Sequence, residues 1–305
     1  MQLFLRDFPI TISLSVSSVC NAQCIWCPIG LRLNTANKSK FLSPAIVDKI
    51  VSDCKGREIE FFLADMGEPL MNPDFKEIVT KCRSINPIGM YLSTNFSLMN
   101  EDMSKFILDN NFNVVGLNID GVTEEGYYAV KHLPLKVVIN NLINFINMRQ
   151  EKMRAIPQWK PPSVCISITT QARYYFEIGE PERITIPDET RMTYEYLRNI
   201  IQPGLDLINP AFVITWAERK RWNRPRDKKN TICTNIYAVG IKCCIDTDGN
   251  MIVCCQDYDS DLKFGNVIDN TIDEIWHTEK RLQFISKIIN NDYAGIGLPC
   301  SICQD

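Results

Sequence analysis

Cys20, Cys24 and Cys27 form a CxxxCxxC triplet directly after an apolar, strand-like run. Thiolates are the usual ligands of iron–sulfur clusters, and a four-iron, four-sulfur cube takes about four of them. Three cysteines this close hold three irons and leave the fourth open. An open metal position is where reactants bind, by the logic that separates catalytic from structural zinc. The triplet therefore points to a reaction at iron. A second set, Cys233, Cys254, Cys300 and Cys303, closes the chain with a C-x-x-C pair. Four thiolates from two distant pairs suit either a fully ligated cluster or a structural zinc.

The 305 residues include 13 cysteines and carry a formal net charge of -3. The N-terminus has no basic region followed by a long apolar core, so no signal peptide is expected. A chain of this length without an export signal is expected in a reducing cytoplasm, where clustered cysteines are more often metal ligands than disulfides. The charge predicts no general attraction to nucleic acid or to an anionic membrane. No run approaches the ~18 apolar residues of a membrane span. His132 and His277 are the only histidines and read as structural or solvent-facing, which excludes histidine-rich metal sites.

The elements that must position these cysteines alternate strand and helix. Strands are expected at Thr11–Ser17, Glu58–Ala64, Gly89–Thr94, Val114–Asp120, Ser163–Thr169 and Ala211–Thr215, most of them apolar with little alternation. Ser43-Pro44, Asn72-Pro73 and Asn100 are helix-start signals, and 134–149 is a longer amphipathic run. The alternation implies parallel strands with right-handed crossovers, in an open sheet or partial barrel. Function gathers at the carboxyl ends of such strands, and the triplet follows the first one. Residues 171–188 read as a long lid or substrate loop. A basic connector with Arg219, Lys220, Arg221, Arg224, Arg226, Lys228 and Lys229 marks a boundary, giving domains 1–218 and 219–305.

The CxxxCxxC triplet in this setting resembles the radical S-adenosylmethionine (SAM) superfamily, and the resemblance covers nearly the whole chain. It implies an α/β fold, a partial (β/α)6 barrel with the triplet in its first loop. It also implies SAM chelated at the open iron and cleaved to methionine and a 5′-deoxyadenosyl radical, which takes a hydrogen atom from substrate. A reductant such as flavodoxin or ferredoxin is implied as a partner. Met66-Gly67-Glu68-Pro69 is similar to the family's GGE-type segment, with Met66 where the first glycine is usual. By that resemblance Gly67, Glu68 and Pro69 contact SAM, as do Trp26 inside the triplet and Ser93 and Asn95 after the third strand. Asn118 and Asp120 at the end of the fourth strand belong to the same set, although Asp120-Gly121 alone reads equally as a turn.

Cys233, Gly249 and Cys254 resemble the opening of the SPASM extension, cut down to a final CxxC. This shortened twitch form implies that Cys233, Cys254, Cys300 and Cys303 hold one auxiliary four-iron cluster. Of the other cysteines, Cys54, Cys82 and Cys165 read as core, and Cys243 and Cys244 as alternative ligands. Cys255 adjoins a ligand, and its thiol is the candidate hydrogen-atom donor, against the alternative of a second packed cysteine.

The twitch form is similar to carbohydrate-tailoring members of the family, an aminocyclitol dehydrogenase and an aminoglycoside epimerase among them. The expected reaction is epimerisation of a carbinol centre of a sugar or aminoglycoside-like natural product. The alternatives are alcohol dehydrogenation with the electron passed to the auxiliary cluster, maturation of a peptide, and a nonenzymatic iron–sulfur or zinc-bound interaction module. Against the peptide stands the lack of an N-terminal extension for leader binding. The acidic 177–189 stretch and the basic connector pull opposite ways on a cationic substrate.

Overall fold

A computed structural model describes residues 6–25, 27–30, 39–170, 188–212, 233, 236–297 and 299–301. Along the chain run β1 (Thr11–Ser15), α1 (Pro44–Cys54), β2 (Glu60–Ala64), a 3₁₀ turn (Pro69–Met71), α2 (Phe75–Arg83) and β3 (Gly89–Ser93). There follow α3 (Glu101–Asp109), β4 (Val114–Asn118), α4 (Glu124–Lys131), α5 (Leu135–Ala155), β5 (Ser163–Thr170), α6 (Asp188–Arg198) and β6 (Leu207–Phe212). The C-terminal region adds α7 (Ile236–Ile241), β7 (Lys242–Ile245), β8 (Asn250–Ile252), β9 (Lys263–Asn266), α8 (Ile272–Trp276) and α9 (Glu279–Ile289).

Two compact units emerge. One comprises Met1–Cys20, Arg32–Gly89 and Trp216–Asp305, the other Asn21–Leu31 and Met90–Thr215. In the first, the strand order is β2-β1-β7-β8-β9. β1 is parallel to β2 and β7, and the last two pairings are antiparallel. Its core sets Ile12, Leu14, Phe61, Leu63 and Ile245 beside Val47 and Ile50 of α1, all 0% exposed. In the second, the order is β6-β5-β4-β3, and every pair is parallel. Phe96 packs edge-to-face on Phe145 of α5, with ring centres 5.8 Å apart.

Several expectations shift in register. The sixth strand starts at Leu207, ahead of the expected Ala211. Asp206 sets that start. Its carboxylate accepts from the Val164 and Gln202 amides (2.8 and 2.9 Å) and is clamped by fully buried Arg149 at 2.5 and 2.6 Å. Pro210 is tolerated because β6 is outermost in its unit's order. Asn72 does not cap the second helix, which begins at Phe75 after Asp74. Its amide instead donates to the Val16 and Leu42 carbonyls, each at 2.9 Å. α4, for which no start signal is expected, starts where Thr123 Oγ1 accepts from the Gly126 amide at 3.1 Å and ends at His132, where K-H-L-P reads as a helix end. Ser43 and Asn100 cap α1 and α3 as expected. Residues 171–187 and the connector with the 218/219 boundary lie outside the described residues.

Candidate metal centres and cofactor-contact segments

Cys24 and Cys27 sit in a turn in which the Cys27 amide donates to the Cys24 carbonyl at 3.1 Å. The loop hangs from the end of α4. The Gln23 amide donates to the Lys131 carbonyl (2.9 Å) and the Ile25 amide to the Val130 carbonyl (3.1 Å). These are helix-terminal carbonyls that lack intrahelical partners, so the loop satisfies α4 while α4 fixes the loop. Gly30 closes the turn. A Cβ there would stand 2.5 Å from the Cys24 nitrogen and 2.6 Å from its carbonyl oxygen. Cys20, Cys24 and Cys27 are each half-buried. Trp26 lies outside the described residues.

Lys131 is the main residue here that the motifs did not reveal. Its ammonium is buried, pairs with Asp120 Oδ2 at 2.6 Å and donates to Asn118 Oδ1. Asn118 and Asp120, expected as SAM contacts, are thus organised by a cation from α4. Burial pushes the Cys24 thiol above its ordinary range, and the charge of Lys131 pulls it part of the way back. Helical spacing offers the signal in retrospect, because Lys131 stands among apolar Tyr127 and Val130 on the buried face of α4.

Asn95 buttresses the same loop. Its amide donates to Asn21 Oδ1 (2.8 Å), next to Cys20 in sequence, and its Oδ1 accepts from the Ser97 amide and hydroxyl (2.9 and 2.6 Å). Ser93 is exposed at the end of β3. In the other unit Gly67 has φ +63, and a Cβ would lie 2.5 Å from both the Ser17 and Val19 carbonyl oxygens. Only glycine fits that approach. The Glu68 amide donates to Val19 (2.8 Å), and its carboxylate accepts from the Leu70 amide (3.2 Å), capping the 3₁₀ turn that buried Pro69 begins. Met66 departs from the family's glycine because it is core, clustered with Cys244, Ile252 and Tyr258.

Three of the four cysteines of the second set come together. Cys233, Cys254 and Cys300 line one small cleft with apolar Val253, Phe284 and Ile288. Cys303 lies outside the described residues. Cys243 and Cys244 are buried on β7, and Cys54 and Cys82 are buried on helices. Cys165, read as core, is half-buried in β5. Cys255 is half-buried and is not among the residues that line the cleft. Burial pushes its thiol up to about 11, with Asp65 adding to the rise and Lys242 opposing it.

Among the described residues no three His, Cys, Asp or Glu side chains converge as ligands of a single ion. A tetrahedral zinc gathers its thiolates at ~2.3 Å from one centre, whereas a cube spreads them over several irons. Half-buried thiols at and around a constrained loop, and cysteines that line an apolar cleft, are the donor type that iron–sulfur clusters take.

Residues 14–156 match the Radical SAM superfamily, and residues 233–304 match SPASM, an iron–sulfur cluster-binding domain. The chain is 28% identical over 118 residues to a probable GTP 3′,8-cyclase of Methanothermobacter marburgensis, covering 39% of this chain and 37% of that protein. It is 26% identical over 130 residues to a GTP 3′,8-cyclase of Klebsiella pneumoniae, covering 42% and 39%. The match therefore spans well under half of these relatives. Among solved structures, BtrN in complex with AdoMet and 2-DOIA aligns over 96% of this chain and 91% of its own, with TM-score 0.55 and 12% identity. Native anSMEcpe with AdoMet and the Cp18Cys peptide aligns over 97% and 88%, with TM-score 0.63 and 16% identity. Streptococcus suis SuiB bound to precursor peptide SuiA aligns over 90% and 66%, with TM-score 0.57 and 12% identity. At these identities the likeness establishes the fold: α/β, the partial barrel of radical SAM enzymes with a C-terminal SPASM region. The two domains imply SAM and two iron–sulfur clusters as cofactors. With a triplet loop built this way and both domains matched, the chain belongs to the radical SAM superfamily and carries a C-terminal SPASM domain.

Proposed function

We propose that this enzyme epimerises a carbinol carbon of a sugar or aminoglycoside-like substrate, with Cys255 as hydrogen-atom donor. The observation that carries the reading is that Cys255 directly follows Cys254 yet is absent from the cleft lining that Cys254 shares with Cys233 and Cys300. Its thiol would then be available to the substrate. Cys20, Cys24 and Cys27 would hold the SAM-binding cluster, and Cys233, Cys254, Cys300 and Cys303 the auxiliary one. Trp26, Gly67, Glu68, Pro69, Ser93, Asn95, Asn118 and Asp120 would line the SAM site, with 219–305 as the twitch domain. SAM bound at a reduced cluster supplies the hydrogen-abstracting chemistry. Cys255 then breaks its S–H bond to form the new C–H bond on the opposite face of the carbon. The thiyl left on Cys255 takes one electron, from a reductant such as flavodoxin or ferredoxin, and one proton to restore the thiol.

BtrN, crystallised with 2-DOIA, supports a small-molecule substrate. The peptide complexes of anSMEcpe and SuiB support the alternative of a peptide. Turnover in deuterated water separates the reactions: an epimerised product gains one deuteron for each SAM consumed, whereas an oxidised product gains none. Cys255→Ala is expected to abolish the return of hydrogen and to accumulate oxidised or quenched product. Wild-type yield of the epimer in that variant would sink the donor role. Absence of 5′-deoxyadenosine from the wild-type reconstituted enzyme, with dithionite and SAM, would sink the radical reading itself.

A further inference from the structure

β1 alternates Thr11, Ser13 and Ser15 with Ile12 and Leu14. Register partners in a sheet point to the same side. Thr11, Ser13 and Ser15 therefore share a face with Glu60, Phe62 and Ala64 of β2, and with Lys242 and Cys244 of β7. A hydrogen bond from Thr11 to Glu60 (3.3 Å) and the Lys242 ammonium 5.0 Å from the Phe62 ring centre agree with that assignment. On the opposite face Cys243 lies within electrostatic reach of Cys54 on α1. The face toward α1 is thus apolar, and the other sets polar Thr11, Ser13, Ser15, Glu60 and Lys242 among Phe62, Ala64 and Cys244.

That second face is buried and incompletely satisfied. Ser13 is 0% and Ser15 1% exposed, and neither hydroxyl has a hydrogen-bond partner among the described residues. Asp65, directly after β2, has the left-handed φ of 73 that non-glycine residues avoid. Its side chain is 2% exposed. Oδ1 lies 3.4 Å from Lys242 Nζ, while Oδ2 finds no donor among the described residues. Buried polar groups in native proteins are nearly always hydrogen-bonded, and strained backbone gathers at functional positions. Three unsatisfied groups in the same three-stranded region call for a ligand.

We propose that Ser13, Ser15, Asp65 and Lys242 form a binding subsite for a neutral, hydroxyl-bearing part of the substrate. Asp65 Oδ2 accepts from a substrate hydroxyl, and each serine both donates and accepts. Charge selects the class. Lys242 already offsets Asp65, so an ammonium would meet the lysine and an anion the carboxylate. Asp65 and Lys242 both act electrostatically on Cys255, the proposed hydrogen donor. The inference rests on the reading that the enzyme acts at a carbinol carbon, and it favours a sugar or cyclitol over a polycationic ring or a peptide.

The test is thermal melting of the full-length, anaerobically reconstituted protein with SAM. The probes are myo-inositol, glucose and galactose, against 2-deoxystreptamine as the cationic counterpart. At least one neutral polyol is expected to raise the wild-type Tm, and more than 2-deoxystreptamine does. Ser13→Ala/Ser15→Ala is expected to match or exceed the wild-type Tm without probe, because no protein hydrogen bond is lost, and to lose the polyol shift. Asp65→Asn is expected to weaken the polyol midpoint about tenfold or more. Ser104→Ala, which removes a buried unpartnered hydroxyl elsewhere, should keep the shift. The proposal is overturned if no polyol shifts the wild type or if the double variant retains the shift. It is equally overturned if the double variant melts lower without probe, the sign of a structural role or of buried water. Polyol binding without 5′-deoxyadenosine formation in the wild type would leave the subsite standing and remove the reaction.

Discussion

A methyl group on Gly30 would stand 2.5 Å from the Cys24 amide nitrogen, closer than real Cβ contacts come, and the neighbour is backbone that cannot rotate away. Gly30→Ala is therefore expected to displace the Cys24–Cys27 turn, not the core. Iron and sulfide analysis should show loss of the iron proposed for the triplet, with that proposed for the C-terminal cysteines retained and the Tm little changed. Full iron content would contradict this. Lys131 carries a different kind of dependence. Replacing it with methionine leaves Asp120, 8% exposed, with its cation removed. Breaking a buried pair this way costs about 3–5 kcal/mol. Urea unfolding at neutral pH should show that loss, and adding Asp120→Asn should recover part of it. Additive losses would mean that the pair is not coupled. The sequence displayed the triplet because its three cysteines are spaced locally. Gly30 and Lys131 were not legible as site residues, since their roles come from a fold-back and from a helix end that reach Cys24 through tertiary structure.

At the scale of elements, Asn72 illustrates how a local signal is outcompeted. Asn-Pro before a helical run reads as a cap, yet at 3% exposure its side chain bridges the Val16 and Leu42 carbonyls and accepts from the Asp74 amide at 2.9 Å. It ties the chain after β1 to the entry of α1. Asn72→Ala strands the buried Leu42 carbonyl and removes one of the two donors to the Val16 carbonyl, which keeps the Leu42 amide at 3.1 Å, so a loss of about 2 kcal/mol is expected. A true cap would cost about 1 kcal/mol, so urea unfolding distinguishes the two roles. The strands were legible because apolar runs are local, and their ends moved by only a few residues. β6 moved furthest, because Asp206 and Arg149 fix its start from 57 positions apart in sequence. The alternation within β1 was visible in the residues themselves. Its meaning emerged only when the register put Thr11 beside Lys242, Ser13 beside Phe62 and Cys244, and Ser15 beside Ala64.

For the whole molecule, the cysteine content sets how stability responds to base. Burial pushes the Cys255 thiol up to about 11 and the Cys54 thiol up to about 12, and it also raises Cys82, Cys243 and Cys244 well above the ordinary thiol range. A thiol whose folded value is raised keeps its proton in the native state while the unfolded chain has begun to ionise. Its contribution is therefore fully present below about pH 9 and is lost as pH rises toward the folded value, at about 1.4 kcal/mol per pH unit per thiol. Lys131 and Lys242, both raised through their carboxylate partners against the opposing effect of burial, act with the same sign once the unfolded lysines begin to lose protons. The expected outcome is a stability plateau to about pH 9, then a fall several times steeper than a single thiol produces. Anaerobic urea unfolding of the reconstituted protein at about pH 8, 9 and 10 measures it. Cys54→Ala/Cys82→Ala removes two buried thiols that the proposed clusters do not use, so ligand cysteines cancel in the comparison. That variant begins less stable, because it leaves small cavities, but its slope above pH 9 should be shallower by about 2.7 kcal/mol per unit. Parallel slopes would show that the alkaline loss belongs to the clusters and not to the buried thiols.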